Sequence, residues 1–162
     1  MNWNYVIPVL IFLPLSAFQL AVIPLISIYD ISPNLILIVI VYYTLINGQI
    51  FGMLIGFLFG FLFDLISGGL LGASMLSFTI SAFFAGYFYN RNKIDINTAS
   101  LLFILILFLC GTINSFIYSG ISNSNSDISL IRLFLYIGIL PGLYTSLLGL
   151  TVIIFKPKKG IV

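Results

Sequence analysis

Few side chains in this 162-residue sequence could do chemistry, and which ones are missing decides much. There is no histidine, and the four acidic residues are all aspartates: Asp30, Asp64, Asp95 and Asp127. Without histidine the usual general base, the commonest metal ligand and the Ser/His arrangement of hydrolases are all absent. An aspartyl protease needs two carboxylates facing each other to share a proton, and only Asp64 lies inside a long apolar stretch. Cys110 is the single cysteine, which excludes an intramolecular disulfide and a thiolate metal cluster. No catalytic, cofactor-binding or metal-binding set is expected, and the chain does not read as an enzyme.

The elements that position these residues follow from composition. Residues of the hydrophobic set make up 61% of the chain and charged residues 6%, against about 25% charged in a soluble domain. Such a surface must face lipid. A membrane-spanning helix takes roughly 20 apolar residues, so six of them fill most of the chain and leave no room for a second domain. The expected architecture is an all-α integral membrane protein, a single domain over residues 1–162. Its six spans in one bundle are read at 5–28, 33–47, 49–66, 70–89, 98–119 and 130–155. Asp30-Ile31-Ser32-Pro33 supplies polar caps and a proline suited to a first helical turn. Asn47-Gly48-Gln49 and Ser67-Gly68-Gly69 read as turns. An unbroken helix over 33–66 would run about 50 Å, well beyond the hydrocarbon thickness, which favours a hairpin at Gly48.

Arg91, Lys93, Lys156, Lys158 and Lys159 fall after spans four and six, on one side of the membrane. The positive-inside rule makes that side cytoplasmic and puts both termini there. The first span lacks a basic n-region and is expected to be retained. The net charge of +2 comes from these flanking residues and implies no nucleic-acid partner.

Within the spans, Gly52, Gly56, Gly60 and Asp64 recur every four residues along one stripe of span three. Glycine lets another helix approach closely, and in lipid such packing drives association. The helix received could belong to this chain or to a partner. Ser74, Ser77, Ser81 and Ala85 give span four a small, weakly polar face. Its hydroxyls either bond their own backbone or line a polar pocket. Gly138, Gly142, Ser146 and Gly149 repeat the theme in span six, where Pro141 is expected to kink the helix. Pro8, Pro14 and Pro24 predict an irregular first span, and Gln19 within it needs a polar partner if buried. Asn114 and Tyr118 are further polar residues of span five. For Asp64 two roles stand open. It could pair with Arg132, at similar depth, and pin span three to span six. It could equally reach interfacial water or cap the Ser67-Gly68-Gly69 turn.

The block from Pro33-Asn34-Leu35-Ile36-Leu37 through Val41-Tyr42-Tyr43, the Gly52–Gly60 stripe, Phe63-Asp64-Leu65-Ile66-Ser67-Gly68-Gly69-Leu70-Leu71-Gly72 and Gly86-Tyr87 resembles the bacterial rod shape-determining protein family MreD. Asn34 stands where that family usually has aspartate, so no carboxylate role carries over to it. The resemblance implies a cytoplasmic-membrane subunit of the cell-wall elongation machinery, associated with single-span MreC and through it with MreB and the peptidoglycan synthases. The family is also similar in fold to the substrate-binding subunits of energy-coupling-factor vitamin transporters. The first reading is therefore a non-catalytic scaffold whose grooves receive partner helices. The second is a solute-binding transporter subunit, which would need convergent polar groups in an outward pocket.

Overall fold

The computed structural model describes residues 3–27, 31–122 and 138–155, and among them the fold is all-helical. Asp30, Asp127, Arg132 and the basic tail Lys156, Lys158 and Lys159 lie outside the described residues. The helices are α1 (Trp3–Ala21), α2 (Leu35–Asn47), α3 (Gln49–Ser67), α4 (Ala73–Gly86), α5 (Ile94–Ala99), α6 (Leu101–Ser122) and α7 (Leu140–Phe155). By length and composition α3 and α6 are each able to cross a membrane unaided.

The exterior is apolar, and inside it an apolar core around α2 lies beside buried small and polar residues. Ile50, Leu54, Phe57, Leu58, Phe61 and Leu65 of α3 and Leu101, Leu102, Leu105 and Leu109 of α6 are exposed. A contiguous apolar surface on this scale fits lipid. Thr44, Asp64, Ser74, Ser77, Ser81 and Thr145 are buried.

Helix α2 forms the axis of the bundle. Its Ile36, Leu37, Ile38, Ile40, Val41, Thr44 and Leu45 are buried, and it touches every other α-helix described. A helix apolar on all sides belongs in a core. Its 13 residues rise only about 20 Å, short for a span. Because its neighbours surround it, that shortness is matched to protein rather than to lipid.

The chain reverses at Gly48. Thr44 sits where a side chain on Gly52 would go, yet one continuous helix would hold those two residues about 12 Å apart. Gly48 has φ +97° and ψ 170°, a region that is essentially glycine-only. Its N–H closes α2 on the Thr44 carbonyl at 2.9 Å, and its own carbonyl accepts the first bond of α3 from Gly52 N–H at 3.1 Å.

Two expectations are revised. Helix α1 runs unbroken past Pro8 and Pro14, and the irregularity is confined to the 3-10 turn Ile23–Ile26 at Pro24. Pro14 is exposed, and transmembrane helices tolerate proline because the freed carbonyl is re-satisfied locally. The span read from residue 98 begins as α6 at Leu101, and residues 94–99 before it form the separate short helix α5. Between them Ser100 caps α6, its carbonyl accepting from Phe103 N–H at 2.9 Å and its Oγ from Leu102 N–H at 3.3 Å. Helix α7, whose second residue is Pro141, follows directly on the π-helical Gly138–Ile139, so the helix departs from regular α geometry beside the proline where a kink is expected.

Gly48→Ala should destabilise the full chain by about 1 to 3 kcal/mol. Gly120→Ala, where the new methyl meets open space, should be neutral or slightly stabilising. Reversible unfolding from mixed detergent micelles measures both; equal stability of the two variants would refute the constraint at Gly48.

Candidate functional site

Gly52, Gly56, Gly60 and Asp64 all lie on the buried face of α3, and the structure shows what covers them. A methyl at Gly52 would strike the Thr44 side chain of α2. At Gly56 it would lie 2.9 Å from the Phe78 carbonyl oxygen of α4, and at Gly60 it would overlap the Met75 backbone. Backbone therefore meets backbone along α3 and α4, and the stripe is filled by this chain's own helices. Phe63 and Phe78 extend the seam with ring centroids 6.4 Å apart. Phe12 of α1 stacks on Phe59 at 4.5 Å.

At the end of the stripe sits Asp64, 2% exposed. Its carboxylate accepts from the backbone N–H groups of Gly72 at 2.8 Å, Ser74 at 3.1 Å and Met75 at 3.4 Å. A helix begins with four N–H groups that lack intrahelical partners. In α4 those of Ser74 and Met75 go to Asp64, and that of Ala73 goes to the Leu70 carbonyl at 3.1 Å. Leu76 N–H then makes the regular bond to Gly72 at 2.9 Å. Gly72, with φ +100°, supplies no side-chain cap. Asp64 replaces it from the preceding helix, and its negative charge lies against the positive end of the α4 dipole. Arg132, the cation expected beside Asp64, falls outside the described residues.

Ser77 and Ser81 occupy a different face of α4. Ser77 Oγ donates to the Ser74 carbonyl at 3.1 Å. Ser81 Oγ lies 2.7 Å from the Ser77 carbonyl and 3.2 Å from that of Cys110 in α6. The serine face thus packs on α6 while the glycine stripe packs on the other side of α4. A second glycine crossing joins α6 to α7, where a methyl on Gly111 would lie 2.9 Å from Gly142 Cα. Gly149 is filled by the Leu107 side chain.

Several contacts were not foreseen from the residues. Gln49 Nε2 donates to the Phe83 carbonyl at 2.9 Å, and the same residue fills the space at Gly86. Gln19 bridges the start of α2, donating to the Pro33 carbonyl at 2.8 Å and accepting from Leu35 N–H at 2.8 Å. Thr145 Oγ1 of α7 accepts from Asn34 N–H at 3.0 Å. The one available signal was polarity: each is an uncharged hydrogen-bonding residue in an apolar run.

In comparison with known families, the sequence profile described as rod shape-determining protein MreD matches residues 1–155. No curated protein and no solved structure matches the chain.

The packing orders the glycine variants. Gly60→Ala and Gly56→Ala press on backbone and should both destabilise, Gly60→Ala more; Gly56→Leu should exceed Gly56→Ala, and exposed Leu58→Ala should be the mildest. Gly52→Ala presses on one side chain, so Thr44→Ala, which removes the nearest atoms but leaves Cβ 2.7 Å away, should rescue it in part. Additive losses in that double variant, measured by detergent unfolding, would refute the contact. Asp64→Asn should cost about 1.5 to 3 kcal/mol, the range for a hydrogen bond to a charged group, in the same measurement; unchanged stability would refute the cap.

Proposed function

The chain belongs to the rod shape-determining protein MreD family, and from that premise we propose that it is a non-catalytic scaffold in the cell-wall elongation complex. The family match over residues 1–155 carries this reading. MreD is a family of membrane proteins that act in rod shape determination, and an apolar helical exterior accords with membrane residence. In the proposal the chain is a multi-pass protein of the bacterial cytoplasmic membrane, with six spans and both termini in the cytoplasm. It binds single-span MreC and through it helps organise MreB and the peptidoglycan synthases.

Two observations support a scaffold over a site of turnover. The buried carboxylate of Asp64 is engaged by three backbone N–H groups, which leaves it poorly placed as a proton shuttle. The glycine stripe is occupied by α2 and α4, so its role is to hold the bundle in one shape. The partner's helix therefore meets a different surface, and the stripe acts on the complex through the shape it maintains.

The test is purification of the tagged full-length chain in mild detergent with identification of what accompanies it, alongside depletion in a rod-shaped host. MreC should co-purify, and depleted cells should round up. Gly56→Leu should lose MreC only together with folded protein. Normal rods after depletion, with no MreC recovered, would overturn the assignment. For topology, with Cys110 replaced, a cysteine at Gly69 should be labelled by an impermeant reagent in intact cells and one at Asn90 shielded. The reverse pattern would overturn the orientation.

A further inference from the structure

At the end of the bundle that carries the α2–α3 and α4–α5 connections, α4 finishes in a run of aromatic side chains. Phe83, Phe84, Tyr87 and Phe88 are all exposed, Tyr87 the most at 68%. Three of the rings touch. Phe83 lies edge-on to Tyr87 with centroids 5.2 Å apart and to Phe84 at 5.8 Å, and Phe84 lies 6.4 Å from Tyr87. The patch continues the apolar outer surface of α4 from Leu76. Immediately beyond it the chemistry changes: Asn90, Arg91 and Asn92 are also exposed, and Asn90 caps the 3-10 turn Arg91–Lys93.

Uncharged side chains pin the backbone along this junction. Gln49 Nε2 holds the Phe83 carbonyl, and Asn97 Nδ2 donates to that of Phe88 at 2.6 Å. The Tyr89 ring lies 3.6 Å from where a methyl on Gly48 would be, and Asn90 Oδ1 accepts from Asn92 N–H at 3.1 Å. The backbone is therefore tied inward at several points while Phe84, Tyr87 and Arg91 stay outside. The step from apolar to cationic surface is built into the fold.

Aromatic residues at the ends of membrane helices sit at headgroup level. A guanidinium at that level meets phosphate, which it can grip through two parallel N–H donors. Among the described residues no ion pair engages Arg91. Residues 87–97 carry Arg91, Lys93 and a single acid, Asp95, so the segment is net positive. That charge favours a headgroup with net negative charge over a zwitterionic one, whose ammonium the same cations repel. We propose that this junction is a binding site for an anionic phospholipid, its phosphate held by Arg91 and its acyl chains laid along Tyr87 and Phe84. Continuity with the lipid-facing surface of α4 selects a membrane lipid over a soluble phosphate compound. The proposal is independent of which protein partners the chain has.

The test is native mass spectrometry of the full chain from detergent micelles holding equal amounts of phosphatidylglycerol and phosphatidylcholine with matched acyl chains. The parent should retain phosphatidylglycerol in preference, and Arg91→Gln should cut that preference about fivefold, the effect of one cation near a charged surface. Tyr87→Ala should lower retention of both lipids; full retention would overturn the aromatic half of the site. Lys158→Gln combined with Lys159→Gln removes two cations elsewhere in the chain and separates a built site from overall charge. A preference kept in that double variant supports the site, and a loss as large as in Arg91→Gln overturns it. Arg91→Gln should melt with the parent in lipid-free detergent, because the side chain is exposed. If it melts lower, Asn92→Asp, which sets a negative charge beside the site, decides: a reduced preference supports the proposal and an unchanged one overturns it. Equal retention of the two lipids by the parent, or displacement of the bound lipid by inorganic phosphate, would also overturn it.

Discussion

The carboxylate of Asp64 holds the start of α4, and the most extensive seam of the bundle, with α3, runs along that helix. In lipid no water is available to take up free N–H groups at a helix end. Two oxygens on a neighbouring helix do so here, engaging Gly72, Ser74 and Met75. The bond fixes α4 in register against α3. In that register the backbones at Gly56 and Gly60 lie directly against those of Phe78 and Met75. The neighbouring face of α4 is then turned so that Ser81 reaches the Cys110 carbonyl of α6.

The same logic recurs at other helix ends. Gln19 of α1 serves both a donor and an acceptor at the entry of α2, and Thr145 of α7 takes the Asn34 N–H beside it. Gln49 of α3 reaches a carbonyl near the end of α4. Tyr144 donates to the Ile26 carbonyl at 2.9 Å, tying the 3-10 turn to α7. Gln19, Gln49, Asp64 and Thr145 thus serve as cross-helix caps, while most described Ser and Thr hydroxyls bond carbonyls of their own helix. Asn114 departs from that pattern, since its carbonyl oxygen serves no backbone group.

Much of the helical framework was legible because it is written locally. The apolar runs, the turn at Gly48 and the common face of Gly52, Gly56, Gly60 and Asp64 need only helical periodicity to be read. What covers that face is a tertiary matter, and the residues alone left it open between an internal helix and a partner's. Gln19 and Thr145 were beyond local reading for the same reason: Asn34 and Thr145 are 111 residues apart in the chain. The proline rule misjudged α1, because a membrane helix can leave Pro14 on its outer side. Ser100 was invisible as a break because serine within an apolar run is equally consistent with back-bonding inside one helix.

The central position of α2 sets an order of events in biosynthesis. The ribosome delivers α2 early, while α6 and α7, which enclose it, emerge last. Until then its apolar sides have only lipid and α1, α3, α4 and α5 as neighbours, and the Asn34 N–H waits for the Thr145 hydroxyl, which has not been translated. Enclosure of α2 is complete only once α7 has been made, and loss of α7 would strip the axis of the bundle of part of its cover. A quality-control protease that inspects membrane proteins for exposed polar backbone would find its target at the mouth of α2.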